Sequence, residues 1–135
     1  MGALDGAMVA DNVRFARPGS YDKHRKLIER LDELVELLGS APLYSDDLAR
    51  TLGVSVRTLQ TATQAIHGVS LHQYLRTKRL WSVRKQLVIG NTGLTVKAAA
   101  YANGFWHMGD FSKAYKSVFG EMPSETLTRG RYFQA

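Results

Sequence analysis

The stretch AAAYANGFWHMGDFSKAYKSVFG, Ala98 to Gly120, constrains the fold of this chain more than any other. It reads as a short helix, a turn at Asn103-Gly104 and a second helix. Ala98, Ala99 and Ala100 are small enough to let two helices approach closely, and Gly104 supplies the left-handed backbone that ends a helix at low steric cost. Phe111, Ala114, Tyr115 and Val118 follow at three- and four-residue spacing, which places one apolar face on the second helix. Two helices joined at a steep angle by a tight turn containing glycine make a helix-turn-helix.

An earlier stretch repeats the unit: SDDLARTLGVSVRTLQTATQAIHG, Ser45 to Gly68. Ala49 precedes Gly53 with the spacing at which Ala100 precedes Gly104. Leu59 then matches Phe111, with one extra residue in the second turn. Beyond it Ala62 pairs with Ala114, Ile66 with Val118 and Gly68 with Gly120. The matched positions are small, apolar or glycine, and these fix the angle between helices. The unmatched positions are polar and differ, so similar scaffolds carry different outward residues.

In chain order, Met1 to Ser20 mixes Gly, Ala, Asp and Asn without sustained periodicity and reads as a linker or expression remnant. Tyr21 to Leu38 is helical, with Leu27, Leu31, Leu34, Val35 and Leu38 in one stripe, Ser20 or Asp22 at its start and Gly39 at its end. Ser40-Ala41-Pro42 is a break. Ser45 is the expected N-cap of the next helix, with Asp46 and Asp47 favourable in its first turn. Ser55 caps a helix ending at Gly68, and Ser70 caps a longer one reaching Ile89, with Leu71, Tyr74, Leu75, Val83 and Leu87 as its core face. Thr95 caps the helix of the second unit. Pro123-Ser124-Glu125 starts a final short helix, since proline is well tolerated there. Thr128 to Ala135 carries no clear element and reads as a tail.

The charge is uneven. From Ser45 onward twelve lysines and arginines face five acids, whereas before Ser45 six bases face seven acids, within a net charge of +6. A basic surplus concentrated in one domain is the footprint of a polyanionic partner, although a solvated basic face for solubility has the same composition. The absence of cysteine excludes disulfides, cysteine-ligated zinc and thiol catalysis, and suits the cytoplasm. No apolar run is long enough to span a bilayer and no signal peptide opens the chain, so a membrane is not an expected partner. His24, His67, His72 and His107 lack metal-ligand spacing, and no paired acids or nucleophile motif stands out. The expectation is a protein that is not an enzyme, with neither cofactor nor metal.

These residues resemble the DNA-binding domain of the AraC/XylS family of bacterial transcription regulators. The resemblance covers about Tyr21 to Leu127. Its most specific part is Gly104-Phe105, Phe111, Tyr115-Lys116, Phe119-Gly120 and Pro123. Leu48-Ala49, Ser55, Leu59-Gln60, Gly68, Ser70, Tyr74-Leu75 and Arg79-Leu80 add to it. It implies an all-α fold of seven helices: two helix-turn-helix subdomains (homeodomain-like three-helix units), with the helix-turn-helices at about 45–68 and 95–120, joined by a long connecting helix at about 70–89. It implies double-stranded DNA as partner, with the two recognition helices in successive major-groove segments. RNA polymerase is a further implied partner. In the family a sensing or dimerisation domain usually precedes this one, so a small-molecule effector is expected only through such a domain. Tyr115 stands where the family has phenylalanine, Ala99 where it favours isoleucine and Val83 where alanine is common. Leu127 stands where arginine is frequent, leaving Arg129 as the nearest cation for a terminal phosphate contact.

Groove readout needs side chains on the outer face of each recognition helix, near its N-terminus. In the first unit the family's base-contacting positions fall on Arg57, Gln60 and Thr61. Arg57 suits guanine O6/N7 or a phosphate, Gln60 suits adenine N6/N7, and Thr61 a thymine methyl or a phosphate. In the second unit the face is His107, Met108, Gly109, Asp110 and Lys113. Met108 offers only apolar contact, and Asp110 either accepts from cytosine N4 or serves the first helical turn. Backbone contacts are expected from Arg76, Lys78 and Arg79 of the connecting helix and from Lys113 and Lys116. The second unit is therefore expected to position more than it selects. A helical module binding an acidic protein through the same basic surface is the competing reading.

Overall fold

The computed structural model describes residues 19–133; the expected linker before Gly19 and the last two residues lie outside them. The described residues form seven helices and no strand: α1 Ser20–Leu38, α2 Ser45–Leu52, α3 Val56–His67, α4 Leu71–Ile89, α5 Val96–Ala102, α6 Met108–Phe119 and α7 Pro123–Tyr132. This is the expected all-α class. The chain divides into two compact units. Among the described residues the first holds 19–37 and Leu43–Tyr74; the second holds Leu38–Pro42 and 75–133, including most of α4.

In the first unit the buried apolar residues are aliphatic, with Thr63 buried beside them: Leu27, Ile28 and Leu31 of α1, Leu43, Leu48, Ala49 and Leu52 around α2, Leu59 and Ala62 of α3, and Leu71. The buried stripe of α1 is thus centred on Leu27, Ile28 and Leu31, while Leu38, expected within it, is exposed. Arg30 Nη2 donates to the Leu52 carbonyl at 3.0 Å, satisfying one acceptor at the end of α2. Tyr74 donates its hydroxyl proton to Asp32 Oδ1 at 2.6 Å and stacks on His67 with centroids 4.5 Å apart. Ser45 is not the cap of α2 as expected. Tyr44 occupies the N-cap with extended backbone and no side-chain cap bond, so Ser45 is already the first helical residue.

The second unit is built around Leu80, Val83, Leu87, Ala99, Ala100, Phe111, Tyr115 and Leu127, with Phe105, Met108, Ala114 and Phe119 packed against them. Phe105, Phe111, Tyr115 and Phe119 form a run of ring contacts with centroids 4.6–5.8 Å apart. The apolar face of α6 keeps Phe111, Ala114 and Tyr115 as expected and departs at one position. Val118 is 43% exposed, and Phe119 takes the inner position because its ring meets Tyr115 on one side and Trp81 edge-on at 4.9 Å on the other.

The expected tail is another correction: α7 continues through Tyr132. Two features hold it. Glu125 Oε1 accepts from the Met122 amide at 2.7 Å, closing the start of the helix. Further along, α7 packs main chain to main chain on the end of α4. A Cβ on Gly130 would stand 2.5 Å from the Leu87 carbonyl oxygen and 2.6 Å from that of Val88. One on Gly90 would stand 2.7 Å from the Arg131 nitrogen. Only glycine at both positions permits this approach.

Candidate nucleic-acid interface

The turns of the two units share one hydrogen-bond pattern. In the first, the Val54 amide donates to the Ala49 carbonyl at 3.0 Å and the Gly53 amide to that of Arg50 at 3.1 Å. In the second, the Phe105 amide donates to Ala100 and the Gly104 amide to Tyr101, both at 3.0 Å. This is the Schellman arrangement, in which a left-handed residue lets the chain fold back on the last carbonyls. Gly53 at φ 74° and Gly104 at φ 87° supply that residue. The sequence repeat is therefore a repeat of backbone geometry.

Past the glycine the units diverge. In the first, Val54 leads directly to the N-cap Ser55, whose Oγ accepts from the Thr58 amide at 3.0 Å. In the second, Trp106 stands between Phe105 and the N-cap His107, whose side chain makes no cap bond. Trp106 is thus the extra residue of the second turn. It is 67% exposed, lies 5.5 Å from the Tyr101 ring by centroids, and Tyr101 in turn carries Lys97 Nζ 5.4 Å from its ring centre. Sequence reasoning passed over this trio; an aromatic inserted between helix-ending glycine and N-cap, with a lysine four residues before its ring partner, was the available signal.

The expected first-unit readers lie on the exposed side of α3: Arg57, Gln60 and Thr61 are all exposed, opposite buried Leu59, Ala62 and Thr63. Gln60 is not idle there. Its Oε1 accepts from the Leu71 amide at 2.6 Å, tying α3 to the first turn of α4. Bidentate pairing with adenine uses both ends of the amide, so the oxygen has a competing partner while the Nε2 donors remain outward chemistry.

In the second unit His107, Asp110, Lys113 and Lys116 are exposed, whereas Met108 is half-buried against the core. Lys113 and Lys116 line a shallow groove on α6 with Ser112, Ser117 and Met122. On α4, Arg76, Lys78 and Arg79 are half-buried. Arg79 reaches the second unit's turn, with Nη1 3.6 Å from where a Gly104 Cβ would be. Lys78 and Arg79 both interact within the protein.

Two further cations are engaged by Glu121. Arg84 Nη1 donates to Glu121 Oε2 and to the Tyr115 hydroxyl, each at 3.3 Å, and its guanidinium lies 4.8 Å from the Phe119 ring centre. Arg129 Nη2 donates to both oxygens of Glu121, at 2.9 and 2.7 Å. Thr126 also donates to Glu121 and accepts from Tyr115 at 2.8 Å. The Arg129 hydrogen bonds, followed by that from Thr126, hold the Glu121 carboxyl down to about 2. Arg129, the nearest candidate for a terminal phosphate contact, is thus committed to Glu121, and Leu127 at the family's arginine position is buried. Among the described residues no cluster of His, Asp or Glu is arranged to hold a metal, and no helix is long and apolar enough to cross a membrane.

Residues 48–129 match the model of a helix-turn-helix domain. The chain is 31% identical over 110 residues to the XylDLEGF operon transcriptional activator 1 of Pseudomonas putida, covering 81% of this chain and 33% of that protein. It is 36% identical over 98 residues to a probable thc operon regulatory protein of Rhodococcus erythropolis, covering 70% and 29%. The chain thus spans about a third of the length of these relatives. Among solved structures it is similar to a probable AraC family transcriptional regulator from Rhodopseudomonas palustris, at 33% identity and a TM-score of 0.68, covering 78% of this chain and 97% of that one. A transcriptional regulator from Chromobacterium violaceum with an AraC-type DNA-binding domain aligns at 25% identity and a TM-score of 0.69, covering 81% and 96%. With the paired turns, the exposed faces beyond them and these relatives together, the chain belongs to the AraC/XylS family of helix-turn-helix DNA-binding transcription regulators.

Proposed function

We propose that this domain selects its duplex DNA sites mainly through α3 and uses α6 mainly to hold the duplex. The observation that carries the reading is the exposed row Arg57, Gln60 and Thr61 just past the Ser55 cap, set against an α6 whose first turn offers a half-buried methionine and a glycine. Arg57 reads guanine, Thr61 contacts a thymine methyl or a phosphate, and Gln60 donates from Nε2 while its oxygen stays on Leu71. Lys113 and Lys116 neutralise phosphates, with Arg76 and Lys78 as additional backbone contacts. His107 and Asp110 make at most a secondary contribution to base choice. The names of the P. putida relatives support activation as the output; RNA polymerase is the protein partner that reading entails, and a small-molecule effector would act only through a sensing domain, not through this one.

The test is selection from a random duplex library, followed by affinity for the winning site and for scrambled DNA across a salt series. Arg57→Ala is expected to cost about 1–3 kcal/mol at the selected site and to relax preference at one position. Lys113→Ala is expected to weaken all duplexes alike and to lower the salt slope by about one. Equal losses on every sequence for both variants would sink the division of labour. Binding to no duplex would leave an acidic protein as the partner of the basic surface.

A further inference from the structure

Trp106 serves no scaffold need that the first unit does not meet without it. Val54 joins directly to the N-cap Ser55 and the same Schellman bonds form, so the second turn closes without requiring an added residue. The added residue nonetheless places an indole 67% exposed next to the exposed ring of Tyr101, a paired aromatic surface beside the start of α6. It is also held in place: its ring rests on Tyr101, and Lys97 lies against the opposite partner of that pair. A side chain ordered before binding loses less entropy when it binds.

The chemistry of the cluster favours one class of partner. Trp106 Nε1 can only donate, Lys97 carries a positive charge, and the Tyr101 hydroxyl can donate. From Asn91 to Gly109 the chain contains no acidic residue. The cluster lies beside the N-terminus of α6, the end of a recognition helix that approaches the duplex. We infer that Trp106, seated on Tyr101 and flanked by Lys97, is a second-unit contact to the sugar-phosphate backbone of duplex DNA, the indole N–H donating to a phosphate oxygen and the ring covering the adjoining sugar. The inference rests on the DNA-reading function proposed above and adds to it a backbone anchor outside both recognition helices.

The chain has two tryptophans, so Trp81→Phe leaves Trp106 as the sole indole reporter. Titrating this variant of the full chain with the selected duplex is expected to change its emission and to lower its acrylamide quenching about twofold or more at saturation. Trp106→Ala is expected to bind about tenfold more weakly, the scale of one hydrogen bond to a charged group, with an unchanged salt slope. Trp106→Phe, which keeps a ring but loses the donor, is expected to fall between. Lys97→Ala is expected to lower the salt slope by about one. An indole equally open to quencher in the saturated complex, together with wild-type affinity in Trp106→Ala, overturns this inference alone and directs the cluster to a protein partner. Absence of salt-dependent duplex binding by the wild-type chain overturns it together with the proposed function. Circular dichroism of each variant reports whether a loss comes from unfolding.

Discussion

In the first unit the chain passes from Gly53 through Val54 to a serine whose hydroxyl caps the recognition helix; in the second it passes from Gly104 through Phe105 and Trp106 to a histidine that makes no cap bond. The left-handed glycine and the carbonyls it satisfies are the same in both. The interiors differ: Leu59 fills the position that Phe111 fills in the second unit, and Thr63 and His67 stand where Tyr115 and Phe119 continue the run of rings. The outward faces differ more. The lesson is that a few backbone bonds suffice to specify the motif, leaving interior volume and exterior chemistry to vary around them.

The comparison can be broken first at the core. Phe111→Ala is expected to destabilise by about 3–5 kcal/mol and Leu59→Ala by about 2–5 kcal/mol in urea unfolding. Losses under about 1 kcal/mol at either site would show that the matched position is not the keystone of its unit. Gly130→Ala, which tests a contact found only in the second unit, is expected to cost about 1–3 kcal/mol because the methyl meets main chain.

Glu121 gives the second unit a pH signature on the acid side, whereas in the first unit burial and Asp32 push the Tyr74 hydroxyl the other way, above its ordinary range. The folded Glu121 pKa of about 2 lies below the ordinary 4.5, so between those values the unfolded state binds more protons. The stabilisation is therefore fully present above about pH 4.5 and is lost as pH falls towards 2. Glu121→Gln is expected to flatten the urea midpoint across that window; an unchanged acid limb would show that the carboxylate is not held as the hydrogen bonds indicate. The smallest effects belong to the caps. Ser55→Ala is expected to cost about 1 kcal/mol, whereas His107→Ala should change stability by no more than a few tenths and His107→Asp should raise it. Equal costs for the two alanine variants would erase the asymmetry of the turns.

Much of this was legible from residue types whose meaning is local. Glycine after a small-residue helix announces a left-handed stop, and Ser55, Ser70 and Thr95 each accept the amide expected of a cap. The misses arose where distant residues decide. Three- and four-residue spacing admits either Val118 or Phe119 on the inner face, and the edge of Trp81 selects Phe119. Gly130 argues against a helix by propensity, yet its missing side chain is what lets α7 lie on the end of α4. Gln60 sits on the outward face of α3 as its register indicates, but the Leu71 amide that engages it is eleven residues away in sequence. Arg129 reads as an available cation until the fold brings Glu121 to it.

The seam between Gly130 and the carbonyls of Leu87 and Val88 has a consequence for the genetics of the domain. A defect from an overlarge core residue is ordinarily repaired by trimming a neighbour, which is how second-site suppressors arise. Here the neighbours are peptide groups, identical whatever residues carry them, and Gly90 across the seam is already as small as an amino acid can be. A side chain introduced at position 130 thus leaves evolution no adjoining side chain to shorten, and the direct route back is reversion to glycine.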